Sequence, residues 1–543
     1  MKRDSFVRGA LILAAAGLTS RVLGSVYRII LPLLMGGAEK GGEGIGLFQM
    51  AYPIYGVALG LSAVGIPVAI SKLVAEKIAT GDHGAARRVF RIALALLAVL
   101  GLILSALLLA GSRFLAVHVS RDPRAFYTIA AISPAIFLVS VTSAFRGYFQ
   151  GLQRMSPSAN SQILEQLVRV LTMFLLVYLL LPFGIEFAAA GATFGAVTGG
   201  AAAFLYLAWF YRHSRYILLP PRETGEGDRG STGTGRVIWQ IIYLAAPISL
   251  AGVILPVMSF VDMAVVPARL HAVGFSTPEA TTLYGFFTGM AMPLVNMPTV
   301  FTSALAVSLV PAVSEASASG QPLLVCSRTS LALKLAFFLA VPAAAGLMLL
   351  AREIPALLWK APRAGPPLAV LAPGLLFLAL QQVTSGVLQG LGYTGLPVRH
   401  LLAGAAAKLF LTWWLTGVPA LNINGAALGT VAGFLIASLL NLYSVTRLVG
   451  PVVDPRRVLI KPLAASALMG LAVRAVHNVV IAVRRSDSLA TLAAIAVGMA
   501  VYGVLILAFG GFTAREVEHI PRYGPHLAML LRRARILRGG GEV

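Results

Sequence analysis

The sequence has few charged residues and almost no cysteine for its length. Of 543 residues, only 12% are charged, whereas 58% are hydrophobic, and the mean hydropathy is +0.85. A soluble protein of this size needs roughly twice that charged fraction to cover its surface. The low charge therefore excludes an ordinary soluble protein. The single cysteine, Cys326, excludes an intramolecular disulfide framework.

Several catalytic signatures are also missing from the sequence. It contains no G-x-x-x-x-G-K-[ST] loop for direct use of ATP, and no G-x-S-x-G, H-E-x-x-H or paired-carboxylate signature. The histidines show no metal-ligand spacing, so the sequence indicates neither a metal site nor a cofactor. No segment between apolar runs is long enough to hold a catalytic domain. We therefore expect no catalytic residues and a protein that is not an enzyme.

Long apolar runs dominate what the sequence does contain. About fourteen of them have the roughly 20-residue length that crosses a bilayer as a helix. The sequence thus predicts an all-α, polytopic membrane protein with about 14 transmembrane helices. The predicted spans cover residues 9–34, 45–75, 89–111, 126–149, 158–182, 187–211, 237–266, 280–312, 328–350, 366–390, 397–418, 425–446, 458–478 and 489–511.

The formal net charge of +23 invites a nucleic-acid interpretation, but the positions of the basic residues argue against one. Lys and Arg form short clusters between apolar runs. Nearly all of these clusters fall on one side when the spans are counted from the amino terminus. This asymmetry is the positive-inside pattern, which places both termini in the cytoplasm. The same clusters favour contact with the anionic lipids of the bilayer.

A repeated motif indicates an internal duplication. FRGYFQGLQRMSP at residues 145–157 and TSGVLQGLGYTGLP at residues 384–397 share the pattern Gly-x-x-Gln-Gly-Leu, with matching positions 239 apart. GATFGAVTG from Gly191 returns as GAALGTVAG from Gly425, at an offset of 234. A nearly constant offset across several helices is typical of duplication, and an even number of spans gives both copies one orientation.

The duplication defines the predicted domain organisation, with two six-helix lobes related by a parallel internal repeat plus two C-terminal helices. The predicted parts are an N-terminal lobe at 1–211, a cytoplasmic linker at 212–236, a C-terminal lobe at 237–447, two additional transmembrane helices at 448–511 and a basic cytoplasmic tail at 512–543. In such a plan the cleft between the lobes is the expected working site.

The first group of candidate substrate-binding residues lies on span one. Gly17, Arg21, Gly24 and Arg28 are spaced i, i+4, i+7 and i+11, which confines them to an arc of about 60° on a helix. A cation at the bilayer centre costs about 2.5–3.5 kcal/mol, so two arginines on one face suggest a water-filled cavity. The alternative is that one or both side chains reach the membrane interface instead.

Span five and two neighbouring spans carry further candidates. Glu165 and Arg169 belong to a polar stripe on span five and are candidate substrate-binding residues, although an i, i+4 pair can also be a purely structural bridge. Asp262 on span seven is the candidate for ion coupling, unless it is solvated at the outer surface. Arg146, at the end of span four, is a candidate gate residue, with a cytoplasmic anchor as the alternative.

Six further segments are distinctive: GLTSRVLGSVYR, GIGLFQMAYPIYG, GIPVAISKLVAE, FRGYFQGLQRMSPSANSQILEQLVRV, LYGFFTGMAMPLVNMPTVFTSALAVSLVPAVSEA and LQGLGYTGLPV. They resemble the stage V sporulation protein B family, in the polysaccharide-biosynthesis branch of the multidrug/oligosaccharidyl-lipid/polysaccharide exporter superfamily. The resemblance implies fourteen helices in two lobes, the plasma membrane of a spore-forming bacterium, a role in spore-cortex peptidoglycan assembly, and kinship with the lipid II flippases.

The resemblance also implies a binding mode and marks one departure from it. In the flippases a cationic cavity with arginines on the first helix receives the anionic head of the precursor, and the matching positions here are Arg21 and Arg28. The flippases also carry an arginine in span eight, where this sequence has FFTGMAMPLV with no basic residue. That difference leaves the transported substrate open.

The resulting hypothesis is a flippase or exporter that moves an anionic lipid-linked polysaccharide or peptidoglycan precursor by alternating access. The substrate would be a lipid-linked pyrophosphate sugar, a cell-wall polymerase is a candidate partner, and we expect a monomer. Membrane potential would favour outward movement by about 2.3 kcal/mol per charge per 100 mV. The alternatives are a drug/cation antiporter, which would require an acidic cavity to bind its cationic substrate, and a membrane-embedded glycosyl polymerase.

Overall fold

A computed structural model of the protein describes residues 6–218, 233–451 and 459–510. Every regular element in these ranges is helical, which confirms the predicted all-α class. Contacts within the chain divide it into two compact units, Met1–Gly289 and Met290–Val543. This division falls inside the predicted eighth span, so the lobe boundaries drawn from the repeat stay a prediction.

Nine α-helices build the described part of the first unit. They are α1 (Phe6–Leu34), α2 (Ala38–Leu59), α3 (Gly65–Ala79), α4 (His83–Phe114), α5 (Ala125–Gly151), α6 (Met155–Leu180), α7 (Ile185–Leu218), α8 (Thr234–Ala272) and α9 (Thr277–Gly285). The π-helical segment Gly60–Val64 joins α2 to α3, so that they run as one long span, Ala38–Ala79. A second, Leu115–Val119, extends α4, and a third, Phe286–Ala291, follows α9.

Ten α-helices lie in the residues of the second unit that the structure describes. They are α10 (Met292–Asn296), α11 (Thr299–Ala318), α12 (Pro322–Leu349), α13 (Glu353–Trp359), α14 (Gly365–Leu371), α15 (Gly374–Gly390), α16 (Gly395–Thr416), α17 (Ile423–Val449), α18 (Lys461–Arg484) and α19 (Asp487–Ala508). The span formed by Pro362–Leu371 and Gly374–Gly390 bends by 46° where the two parts meet at Pro373, a residue that interrupts helical hydrogen bonding.

Eleven described helices are long and apolar enough to cross a membrane, or twelve when the bent pair is counted as one span. The two predicted spans outside this set are 9–34 and 397–418, which the structure forms as α1 and α16. In α16 the polar residues Arg399, His400 and Lys408 lower the mean hydropathy. The chain is therefore a multi-pass membrane protein, and the count of fourteen spans stays a prediction.

The repeated glycine motif makes the same helix contact in both units. In the first unit Gly147 and Gly151 of α5 lie so close to α3 that an added Cβ would stand 2.7 and 2.8 Å from the carbonyl oxygens of Pro67 and Ser71. In the second unit Gly386 and Gly390 of α15 face the carbonyls of Ala306 and Val310 on α11 in the same way, at 2.6 and 2.8 Å. All four contact positions shift by the predicted 239 residues, so the duplication extends to packing.

A reciprocal glycine contact fixes the crossing of α2 and α9 within the first unit. A Cβ on Gly46 would collide with the carbonyl of Thr281, and one on Gly285 would collide with the carbonyl of Gly42. Gly285 and Thr281 are the repeat equivalents of Gly46 and Gly42, so the contact is the kind that a two-fold axis produces. Gln49 adds a hydrogen bond from its side-chain amide to the carbonyl of Thr288, 3.2 Å away and again 239 positions along.

Candidate functional site

A buried ion-pair network joins α5 to α6 in the first unit. Glu165 accepts from the Nη2 atoms of two arginines, at 2.8 Å from Arg146 and 2.6 Å from Arg169. Arg146 also donates from Nε to the hydroxyl of Ser161 at 3.0 Å. Only 13–15% of each of the three charged side chains is exposed. The network is therefore shielded from bulk water. Charge-assisted hydrogen bonds between arginine and carboxylate groups require a defined geometry, so they fix how these side chains are oriented.

Helices α1 and α2 bring further groups to this network. Arg28 of α1 has an exposed side chain and interacts electrostatically with Tyr27 and Tyr52. On α2, the hydroxyls of Tyr52 and Tyr55 interact with Arg169. We call this set the polar cluster; its members are Arg28, Tyr52, Tyr55, Arg146, Glu165 and Arg169. Arg21 lies on α1 as well, but its side chain is outside the described part of the chain.

Two glycines allow the helices that carry the polar cluster to approach one another. A Cβ on Gly24 of α1 would stand 3.6 Å from the side-chain nitrogen of Gln166, so α1 rests on α6 at this point. A Cβ on Gly199 of α7 would stand 2.5 Å from the carbonyl of Glu165 and 2.9 Å from the Cβ of Arg169. The close α6–α7 contact restricts the backbone that carries both charged side chains, which favours a preorganised site.

The polar cluster has an excess of positive charge and unused hydrogen-bonding capacity. It contains three guanidinium groups and one carboxylate, a formal charge of +2. Within the described chain, Nε of Arg169 and the hydroxyl of Tyr52 are buried atoms without a hydrogen-bond partner. Buried polar atoms are normally paired, and exceptions call for a water, an ion or a ligand. This arrangement is suited to an anionic group with several oxygen acceptors.

Asp262 occupies a separate place in the first unit. Its side chain on α8 is only 6% exposed and interacts electrostatically with the buried Tyr284, which belongs to α9. The alternative of a carboxylate solvated at the outer surface is therefore wrong. A buried carboxylate inside a membrane helix is expensive unless it is paired or protonated, which makes such residues functional candidates.

A second charged network, which no motif or spacing in the sequence indicates, surrounds the turn before α5. Asp122 is 1% exposed and accepts from Nη2 of Arg124 at 2.8 Å and from the hydroxyl of Thr281 at 2.7 Å. Arg124 also pairs with Glu43 of α2. Burial disfavours the charged guanidinium, but its hydrogen bonds to Asp122 and Glu43 outweigh this effect and raise the pKa of Arg124. The network ties α2, α5 and α9 together.

The structure thus brings four of the six predicted site residues together. Arg28, Arg146, Glu165 and Arg169 share the polar cluster, Asp262 lies elsewhere, and the side chain of Arg21 is not described. The i, i+4 pair of Glu165 and Arg169 forms as expected, but with Arg146 as a third member. Tyr52 and Tyr55 were missed, although the segment AYPIYG, with tyrosines three residues apart around Pro53, places both on one helix face. No described group of three His, Cys, Asp or Glu residues has metal-binding geometry.

Two family models match the chain. The model described as "Polysaccharide biosynthesis protein" matches residues 6–317, and the model described as "MatE" matches residues 247–414. Among solved structures, one titled "Lipid II flippase MurJ, inward closed conformation" aligns with a TM-score of 0.66 at 15% identity, over 92% of this chain and 99% of that one. An inward-facing MATE family transporter aligns with a TM-score of 0.61 at 17% identity, over 78% of this chain and 98% of that one.

Curated relatives from Bacillus subtilis (strain 168) match nearly the full length. "Stage V sporulation protein B" is 33% identical over 96% of this chain and 99% of its own length. "Lipid II flippase MurJ" is 27% identical over 87% of this chain and 89% of its own length. The polysaccharide-biosynthesis model covers more than half of the chain, and the first of these relatives spans almost all of it. The chain therefore belongs to the polysaccharide biosynthesis protein family, in the branch that contains stage V sporulation protein B.

Proposed function

We propose that the protein is a flippase that moves an anionic lipid-linked polysaccharide or peptidoglycan precursor across the plasma membrane, for spore-cortex or cell-wall assembly. The observation that carries the proposal is the polar cluster inside a membrane-spanning unit, where Arg146 and Arg169 pair with Glu165 and the exposed Arg28 reaches the same cluster through Tyr52. The relatives named for sporulation and for lipid II flipping support the same substrate class.

The chemistry of the cluster matches the head of such a substrate. A pyrophosphate presents several charged oxygens, and guanidinium groups bind phosphate oxygens through two parallel hydrogen bonds. The exposed Arg28 is the group that meets the substrate first, and Arg169 and Tyr52 hold the unused donors behind it. The lipid tail remains in the bilayer, so only the head has to cross through a polar path. Alternating access between inward- and outward-open states then completes the transfer.

We propose Asp262 as the group that couples transport to a cation. Protonation or Na⁺ binding would neutralise its buried carboxylate, and the electrostatic interaction with Tyr284 would change as a result. In the Asp262→Asn variant, we expect the rate of precursor flipping to become independent of the cation gradient, while substrate binding stays intact. A variant that keeps the gradient dependence of the wild type would exclude this role.

The proposed function is tested with Arg28, because its exposed side chain can be removed without opening the buried network. Arg28→Ala is expected to weaken binding of a lipid-linked pyrophosphate sugar by about 10- to 100-fold, the range for losing a charge-assisted hydrogen bond. Arg28→Lys should lose less, since it keeps the charge but not the planar fork. Binding is measured by native mass spectrometry and flipping with fluorescent precursor in proteoliposomes. The matched control is Arg399→Ala, an exposed arginine on α16.

Equal binding and flipping by wild type, Arg28→Ala and Arg399→Ala would overturn the role of the cluster. The same liposomes then test the main alternative, a drug/cation antiporter, which the MatE match over residues 247–414 favours. Such a transporter attracts cationic drugs, and the positive charge of the cluster opposes that. Proton-driven efflux of a cationic dye without precursor flipping would establish the alternative. Bond formation on the lipid-linked sugar would instead indicate a glycosyl polymerase.

The remaining assignments belong to the same proposal. We place both termini in the cytoplasm, on the strength of the basic clusters between spans. The lobes at 1–211 and 237–447, the linker at 212–236, the helices at 448–511 and the tail at 512–543 stay the proposed organisation. We further propose that the protein works as a monomer among anionic lipids and hands its product to a cell-wall polymerase.

A further inference from the structure

A cavity lined by arginines lies in the second unit, and its lining includes neither Asp262 nor any member of the polar cluster. It has a volume of about 580 Å³, within the usual range for ligand sites. Its walls come from the end of α12, the start of α13, the segment that leads into α14, and the middle of α18. Three arginines and one glutamate line it: Arg352, Arg363, Arg474 and Glu353. The lining therefore has a formal charge of +2.

The cavity is held open by defined contacts. Nη1 of Arg474 donates to Oε1 of Glu353 at 3.0 Å, which joins α18 to α13 across one wall. A Cβ on Gly365 would stand 2.9 Å from Cα of Arg352, so two walls meet at this glycine. A core formed by Leu350, Met469 and other side chains packs where α12, α18 and α19 meet. The arginines therefore project from supported backbone.

The position of the cavity along α18 makes its charge significant. Arg474 lies ten residues before the end of α18 at Arg484, about 15 Å along the helix axis. Its guanidinium is therefore within the height of the α18–α19 pair rather than at the tip. Glu353 is the ion-pair partner of Arg474, and the four charged lining residues together carry a formal excess of positive charge.

We propose that this arginine cavity binds a phosphoryl group. Arg352 and Arg363 are exposed and line the same space, so the cavity presents two planar guanidinium groups of the shape that makes bidentate contacts with phosphate oxygens. The apolar residues Met348 and Leu349 lie in the same lining and suit a glycerol or acyl segment beside the phosphate. The phosphoryl group can come from an anionic membrane lipid or from a free phosphate or pyrophosphate. This site does not depend on the proposed transport function.

The test compares binding by the full chain with and without the two exposed arginines. Protein is placed in nanodiscs of phosphatidylcholine with or without phosphatidylglycerol, and bound lipid is counted by native mass spectrometry after release. In a second arm, inorganic phosphate and pyrophosphate are titrated in phosphatidylcholine nanodiscs. Wild type is expected to retain phosphatidylglycerol, or to bind the free anions, at least about tenfold more tightly than the double variant Arg352→Ala/Arg363→Ala.

The matched control is Arg484→Ala/Arg485→Ala, which removes two exposed arginines at the end of α18 without touching the cavity. This control is expected to bind as wild type does, and Arg474 is kept in all variants because it pairs with Glu353. Retention of phosphatidylglycerol alone assigns the site to lipid, and binding of the free anions alone assigns it to soluble phosphate. Equal binding by wild type and Arg352→Ala/Arg363→Ala in both arms would overturn the proposal.

Discussion

Glu165 is the only described carboxylate that balances Arg146 and Arg169, so its removal should be costly. Glu165→Gln leaves two guanidinium groups buried beside a neutral amide, and breaking such a pair typically costs about 3–5 kcal/mol. We expect a loss of this size in the free energy of unfolding, measured by denaturant titration in mixed micelles. In the control Glu315→Gln, whose partner is Arg328, the carboxylate is 73% exposed and the loss should stay below about 1 kcal/mol. Similar losses in both variants would contradict a buried network.

Arg124 should be equally important for the second charged network. Arg124→Ala removes the partner of the buried Asp122 and of Glu43, and we expect about 3 kcal/mol of destabilisation. Arg124→Lys should restore only part of this, because an ammonium cannot reproduce the fork of a guanidinium. The control is Arg113→Ala, an exposed arginine near the end of α4. A full rescue by lysine would show that charge alone matters.

The pH dependence of the Arg124 contribution follows from the direction of its pKa shift. A raised pKa in the folded state gives stability that is fully present below the unfolded pKa, which lies well above the neutral range, and is lost only as pH rises through the still higher folded pKa. The difference in unfolding free energy between wild type and Arg124→Ala should therefore not change through deprotonation of this guanidinium between pH 6 and 9. A decline within that range would contradict a guanidinium that stays charged.

At the residue scale, sequence spacing was informative only along a single helix. The pair Glu165 and Arg169 could be predicted because i, i+4 neighbours share a face. Arg146 lies 19 positions before Glu165, and nothing in the spacing indicates that α5 brings it into the same network. In the sequence alone, Tyr52 and Tyr55 are equally compatible with simple packing in an apolar core. Their interaction with Arg169 of α6 becomes apparent only in the folded structure.

At the scale of elements, the crossing of α2 and α9 depends on the absence of a side chain at two positions. Gly285→Ala and Gly46→Ala each place a methyl group on a backbone carbonyl, and overpacking of this kind costs typically about 1–3 kcal/mol, sometimes more. We expect both variants to lower the thermal unfolding midpoint. Gly111→Ala on α4 is the matched control, because a Cβ there meets nothing within 4 Å and alanine favours the helix. Tolerance of Gly285→Ala would contradict the close crossing.

Helices were predictable from apolar runs because membrane spans leave few alternatives for the backbone. The details within the spans were not predictable in the same way. The π-helical segment at Gly60–Val64 and the 46° bend at Pro373 before α15 are local departures from regular α-helical hydrogen bonding, which hydropathy does not encode. The short helices α10, α13 and α14 have no long periodic pattern, and the arginine cavity that α13 and α14 help to line was therefore invisible in the sequence.

At the scale of the whole molecule, the single cysteine makes the proposed orientation testable. In a Cys326→Ser background, Phe183→Cys and Val418→Cys lie in predicted outward turns, whereas Thr80→Cys and Ser319→Cys lie in predicted cytoplasmic turns. All four positions are exposed, so access to a membrane-impermeant maleimide in whole cells reports the side. We expect only the first two variants to be labelled before lysis. The reverse pattern would contradict the positive-inside assignment.

The sequence by itself determined that the chain is a helical membrane protein with an internal duplication. Hydropathy and the constant offset between motifs are read from the order of residues along the chain. They therefore do not depend on how the helices pack against one another. Only the tertiary structure decided that Arg28, Arg146, Glu165 and Arg169 share one cluster and that Arg352, Arg363 and Arg474 line one cavity. The physical reason is that charges far apart in sequence meet through helix packing, which close glycine contacts and buried hydrogen bonds specify.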